Sequence, residues 1–233
     1  MRALVIVHEA AGEAMLVGTR LEHHGYEQVE FLVTPDPGSP FGSMVGIGEP
    51  TDYDLIVAMG SVHSLTAPDD ISSWIHDELD LLRRADDAGV PVLGVCFGSQ
   101  ALAVAHGGRV VKADRPQIGW HPLEVSPSVA PLAGPWMQWH YDRFEPPSGA
   151  DVLAADEIGV QAFRLRRNLA VQFHPEVTRD HVARWVDGGG SAELEALAID
   201  PDQLLVTTAA METDAARRTD DLVDWFLAEI ASS

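Results

Sequence analysis

The stretch Gly94-Val95-Cys96-Phe97-Gly98-Ser99-Gln100 decides the fold. Just before it, Val90-Pro91-Val92-Leu93 is short, apolar and rich in β-branched residues, the pattern of a strand buried on both faces of a parallel sheet. After it, residues 100–106 read as a short helix stopped by Gly107-Gly108. Gly-x-Cys-x-Gly between a strand and a helix is the cysteine form of a nucleophile elbow, where crowding by neighbouring chain leaves no room for a Cβ beside the nucleophile. Such a turn lifts the Cys96 sulfur to the C-terminal edge of the sheet. It also sets the sulfur over a helix N-terminus, whose dipole favours a thiolate. Alone, the pattern equally fits a buried cysteine acting as a small apolar residue beside an ordinary glycine turn.

A second stretch, Leu169-Ala170-Val171-Gln172-Phe173-His174-Pro175-Glu176-Val177, separates these readings. It runs as an apolar strand into His174, and Pro175 ends the strand. Glu176 lies two residues on, so in extended chain its side chain and that of His174 share one direction. Cysteine, histidine and carboxylate are the parts of a nucleophile, a base and an orienting group: His174 would take the thiol proton and Glu176 would hold the imidazole tautomer.

Together the two stretches resemble the class I (triad-type) glutamine amidotransferase domain. The likeness extends to Ile118-Gly119-Trp120, to Gln138-Trp139-His140-Tyr141-Asp142-Arg143-Phe144 and to Gln161-Ala162-Phe163-Arg164, and so covers residues 2–185. Free-standing members similar to the amidotransferase half of GMP synthase are the nearest in character. The resemblance implies a flavodoxin-like α/β fold and a catalytic set of Cys96, His174 and Glu176. It implies an oxyanion hole from the Phe97 N–H and a backbone N–H at Gly60 or Ser61. It also implies substrate contacts from Gln100, Trp139, His140 and Asp142. One departure stands out. Family members carry proline at the third position of the turn that begins at Gly60, whereas this chain has Val62, which predicts a less rigid turn.

Composition narrows the partners. The 233 residues suit one α/β domain over residues 1–233, with a helical extension from about 178, and 46% apolar content can fill a sizeable core. A net charge of −21 repels phosphate backbones and anionic lipid, so neither nucleic acid nor membrane is an expected partner. Lys112 is the sole lysine, a bias that adaptation to high salt or an arginine-favouring codon usage would each produce. A single cysteine precludes internal disulfides, and the N-terminal apolar run is too short for a signal peptide, so a cytoplasmic location is expected.

Along the chain, a strand at 3–7, a helix at 13–24 and a strand at 29–33 open a β-α-β unit, which predicts a mostly parallel central sheet flanked by helices. Residues 34–51 have no period and read as a mobile surface loop, or else a lid or docking surface. A strand at 55–59 and an amphipathic helix at 71–88 lead to the elbow. A β segment starts at 107–111, and short strands at 120–125, 137–139, 152–155, 160–165 and 169–173 add an antiparallel portion. Helices follow at 180–186, 192–198 and 203–230, the last presenting an apolar face that suits packing on the sheet. No His/Cys cluster has metal-ligand spacing and no nucleotide-binding glycine motif occurs, so no metal or cofactor is expected.

Three functions compete at this point. One is a glutaminase passing ammonia to a separate synthetase, slow until its partner sets the loosely held turn. The second is a free-standing γ-glutamyl amide or peptide hydrolase. The third is a non-catalytic regulatory relative.

Overall fold

The computed structural model describes residues 1–36 and 39–233; Pro37 and Gly38 of the expected 34–51 loop lie outside the described residues. Strand β1 (Arg2–Val7) pairs in parallel with β2 (Glu27–Leu32) on one side and β3 (Leu55–Ala58) on the other. Strand β3 pairs with β4 (Val92–Val95), and β4 with β10 (Asn168–Val171), both in parallel. Beyond β10 the sheet turns antiparallel through β9 (Val160–Leu165), β8 (Asp151–Ala155) and β6 (Glu124–Val125). The order is β2-β1-β3-β4-β10-β9-β8-β6, and a separate antiparallel ribbon joins β5 (Arg109–His121) to β7 (Trp136–Glu145). The expected architecture is therefore present.

Period-2 alternation sorts the central strands onto two faces. Leu4, Ile6, Ile56 and Val92 pack with Ile75 and Leu82 of α2 (Ile75–Asp87) and with Phe97 and Leu102 of α3 (Phe97–Ala105). Ala3, Val5, Leu55 and Val57 face the other way. They meet Val17 and Leu21 of α1 (Met15–His23) and Leu222 and Val223 of the long C-terminal helix, which follows α4 (Arg179–Trp185) and α5 (Ser191–Ala196) as α6 (Pro201–Trp225). A bidentate pair from Arg20 to Asp224, at 2.7 and 2.6 Å, joins α1 to α6. The last helix thus covers the sheet, as its apolar face predicted. Among the described residues no helix is long and apolar enough to cross a membrane.

Several boundaries differ from expectation. The helix expected over 71–88 is a 3-10 turn, Pro68–Ile71, then a break at Ser72–Trp74 and α2 proper. Within the break the Ser73 hydroxyl accepts from the Gly42 N–H. The short strands expected near 107–125 and 137–139 are two long ones, β5 and β7. Charges at Lys112, Asp114 and Arg115 and the missing N–H of Pro116 hid them, and the ladder register shifts between Lys112 and Gln117 to accommodate that interruption. Nor does the described part of the 34–51 segment lie loose on the surface. Met44 and Ile47 are buried in the core, the Ser43 N–H donates to the Val33 carbonyl and the Trp74 indole to the Pro40 carbonyl.

Close approach between α3 and the sheet fixes one glycine. A Cβ at Gly98 would lie 2.0 Å from the Ala58 carbonyl oxygen. At Gly107, by contrast, space is open and only a φ of 89° resists a side chain. Gly98→Ala is expected to cost at least about 3 kcal/mol, through overpacking against backbone. Gly107→Ala should cost only about 1 kcal/mol. Urea unfolding of both variants measures the contrast, and equal costs would refute the packing argument.

Candidate active site

Cys96 stands between β4 and α3 with φ 48° and ψ −107°, a positive φ that a side chain rarely adopts. Its neighbours make this possible and necessary. A Cβ at Gly94 would lie 2.8 Å from the Gly98 carbonyl oxygen, so the chain re-enters its own space within four residues. Hydrogen bonds hold the turn: the Cys96 N–H donates to the Val171 carbonyl at 2.8 Å, and the Ser99 hydroxyl to the Cys96 carbonyl at 2.6 Å. Backbone strain of this kind costs about 1–3 kcal/mol and persists only where packing enforces it. The thiol is almost wholly buried, and the Gln172 amide donates to the sulfur at 3.7 Å.

Strand β10 ends at Val171, and the chain beyond it carries the second half of the site. The His174 N–H donates to the Met137 carbonyl at 2.8 Å, linking this segment to β7. The Thr219 hydroxyl of α6 donates to the Pro175 carbonyl at 2.5 Å, and the Leu16 N–H of α1 to the Glu176 carbonyl at 3.1 Å. Held this way, His174 Nδ1 lies 2.7 Å from Glu176 Oε1 with both side chains buried. His174 Nε2 has no hydrogen-bond partner among the described residues, and the ring packs on Trp185 with centroids 4.8 Å apart. Burial would lower the imidazole pKa, but the carboxylate of Glu176 and the nearby Cys96 sulfur outweigh it and hold His174 well above its ordinary value.

The turn after β3 brings Gly60 to the same place. A Cβ at Gly60 would lie 3.2 Å from His174 Cε1 and 3.7 Å from Cys96 Cβ. The turn is tied down, contrary to the looseness expected from Val62. The Val62 N–H, which a proline would lack, donates to Glu9 Oε1 at 2.8 Å. The Ser61 hydroxyl donates to Glu9 Oε2 at 3.1 Å, and the Gly60 carbonyl lies 3.1 Å from His8 Nδ1. Phe97 is buried, its ring 4.8 Å from that of His8, and the Gly98 N–H is committed to the Met59 carbonyl.

The four residues expected at the substrate side divide. Gln100 and Asp142 join the thiol through a relay: the Gln100 amide donates to the Asp142 carbonyl at 3.2 Å and to Gln172 Oε1 at 3.3 Å, and Gln172 reaches the sulfur. The Asp142 carboxylate takes Lys112 at 2.9 Å and the Ser64 hydroxyl. His140 belongs to a buried amide network. Asp156 accepts from Gln117 and Gln161, which turns the Gln117 oxygen toward His140 Nε2 at 3.1 Å. Burial and the nearby charge of His174 push His140 down to about 4, against the pull of the Asp142 carbonyl, 3.0 Å from its Nδ1. Trp139 turns away to Trp185, at 5.7 Å between centroids, and to Glu193.

Sequence reasoning missed Gln172, Trp185 and the pair His8–Glu78. Glu78 carried a usable signal: it falls on the helix face of Ile75, Leu79 and Leu82, where a carboxylate needs a buried partner. His8 and Gln172 had none, since each lies inside or just past an apolar strand.

The raised His174 pKa has a measurable sign. Its stabilising pairing is fully present below pH 6.5 and is lost as pH rises through the elevated folded value. Nitrogen-detected NMR at pH 7 is expected to show both His174 ring nitrogens protonated, and Glu176→Gln should move the ring toward the neutral form. A neutral His174 at pH 7 in the unaltered chain would contradict the pairing.

Comparison with known proteins places the chain in a family. Residues 44–183, more than half of the chain, match the family model described as glutamine amidotransferase class-I. A glutamine-hydrolysing GMP synthase subunit from Sulfolobus acidocaldarius is 31% identical over 175 residues, covering 70% of this chain and 82% of that one. The glutamine-hydrolysing GMP synthase of Marinobacter nauticus is 33% identical over 150 residues, covering 57% of this chain but 27% of its own length. The chain thus spans about a quarter of such longer relatives. A glutamine amidotransferase from Thermotoga maritima shares the fold, with a TM-score of 0.84 over 98% of this chain and 99% of that one at 22% identity. The chain belongs to the class I glutamine amidotransferase family.

Proposed function

We propose that the chain hydrolyses the side-chain amide of glutamine through a Cys96 thioester and passes the ammonia to a separate synthetase. One observation carries this reading: the His174–Glu176 pair, 2.7 Å apart and buried, leaves Nε2 open beside a cysteine strained onto a helix N-terminus. In this mechanism the Cys96 thiolate attacks the amide carbon, and the oxyanion is held by the Phe97 N–H and one at Gly60 or Ser61. Protonated His174 gives its Nε2 proton to the departing nitrogen, which leaves as ammonia. Neutral His174 then takes a proton from the water that attacks the thioester, and thiolate, imidazolium and glutamate result. Glu176 keeps the ring in the tautomer both steps need. Gln100 and Asp142 line the substrate side through the relay to the sulfur. The likeness to a GMP synthase that is divided into subunits supports a separately encoded partner.

The anchored turn removes the ground for expecting a chain that is idle alone, and it also favours a second reading, a γ-glutamyl hydrolase complete without a partner. Steady-state assays on glutamine and on a γ-glutamyl dipeptide separate the two. Glutamine should yield glutamate and ammonia in equal amounts, and Cys96→Ala should lose at least about 10³-fold in kcat with the fold retained. With the turn already held, a cognate synthetase should change the rate by less than about tenfold, or about 1.4 kcal/mol of barrier. High turnover of the dipeptide with little on glutamine would select the hydrolase, and no turnover of either would leave the regulatory relative.

A further inference from the structure

His8 and Glu78 form a second buried histidine–carboxylate pair, outside the mechanism above. Both side chains are fully buried, with His8 Nε2 at 2.9 and 3.2 Å from the two Glu78 oxygens. The ring packs against Trp74, at 5.3 Å, and Phe97, at 4.8 Å between centroids. Nδ1 faces the Gly60 carbonyl at 3.1 Å, so a ring carrying a positive charge donates to Glu78 and Gly60 at once. Burial opposes that charge, and Glu78 outweighs burial to keep His8 above its ordinary value.

The next residue grips the same turn. Glu9 accepts from the Val62 N–H at 2.8 Å and the Ser61 hydroxyl at 3.1 Å. Consecutive residues just past β1 therefore hold two adjoining peptides of the turn, Gly60–Ser61 by its carbonyl and Ser61–Val62 by its N–H. The Gly60–Ser61 peptide is trans, so a Gly60 carbonyl turned onto His8 turns the Ser61 N–H away from it. Gly60 itself is pressed against His174 and Cys96. We infer that His8, braced by Glu78, and Glu9 are positioning residues that fix the Ser61 N–H as the second oxyanion donor. Glu9, through the Val62 N–H, supplies the rigidity that proline gives other family members. The inference rests on the glutamine-hydrolysing reading and refines it.

An oxyanion donor acts on amide hydrolysis but not on simple alkylation of the thiol by iodoacetamide, which forms no oxyanion. The test compares the two reactions in the full chain. Glu78→Gln and Glu9→Ala should each lower kcat on glutamine by about 10- to 100-fold with KM little changed. Alkylation of Cys96 should stay within about twofold of the unaltered chain. Glu9→Gln keeps an acceptor for Val62 and a donor toward Ser61, and should recover most of the rate lost in Glu9→Ala. Parallel loss of alkylation and kcat, or full activity in both variants, would overturn the positioning role while leaving the glutamine-hydrolysing reading intact. An unaltered chain inactive on both glutamine and γ-glutamyl p-nitroanilide would overturn both.

Discussion

Helix α3 leaves the sheet so close to β3 and β4 that no side chain fits at Gly94 or Gly98. That crowding is the constraint on which the site depends. It forces Cys96 to a φ of 48°, because the chain must reverse within four residues while its glycines touch backbone on either side. A strained cysteine above a helix N-terminus has no structural merit of its own. Its strain is offset by the core packed beneath α3, and the result is a sulfur at the strand ends that other segments can approach. Those segments come from three places: the turn after β3, the chain beyond β10, and β7.

Each arrives through backbone tied elsewhere. Thr219 and Leu16 hold the carbonyls of Pro175 and Glu176, so α6 and α1 position the histidine–glutamate pair through its backbone. Buried charge follows one rule throughout. His174 with Glu176 and His8 with Glu78 are closed pairs, each imidazole held toward its protonated form by the carboxylate facing it. His140 lacks such a partner and is held neutral amid amides. In a chain of net charge −21, burying carboxylates against histidines also withdraws acid from a crowded surface.

Much of this was legible from residue order. Runs such as Ala3–Val7 and Leu169–Val171 could only be strands buried on both faces, and the glycines around Cys96 announced a turn without room. The stretch 169–177 then supplied the histidine and the carboxylate, and family likeness the oxyanion and substrate-side residues. What escaped has physical reasons. Pro116 and its charged neighbours concealed the length of β5, because a bulge tolerates residues a regular strand does not. Val62 suggested looseness because proline stiffens a turn by itself, whereas here stiffness comes from Glu9, far away in sequence. His8 was invisible because a polar residue at a strand end looks like the strand's exit, and only its juxtaposition with Glu78 from α2 shows its place. Sequence reveals local preference well and long-range hydrogen bonding poorly.

The central claim is that Cys96 is the residue whose sulfur bonds to the amide carbon of glutamine. A diazo-ketone analogue of glutamine tests it most directly, since the activated thiolate displaces nitrogen and leaves a stable thioether. Mass mapping should place a single adduct on the peptide carrying Cys96, and excess glutamine should slow its formation. An adduct on another residue, or labelling that glutamine does not slow, would contradict the account.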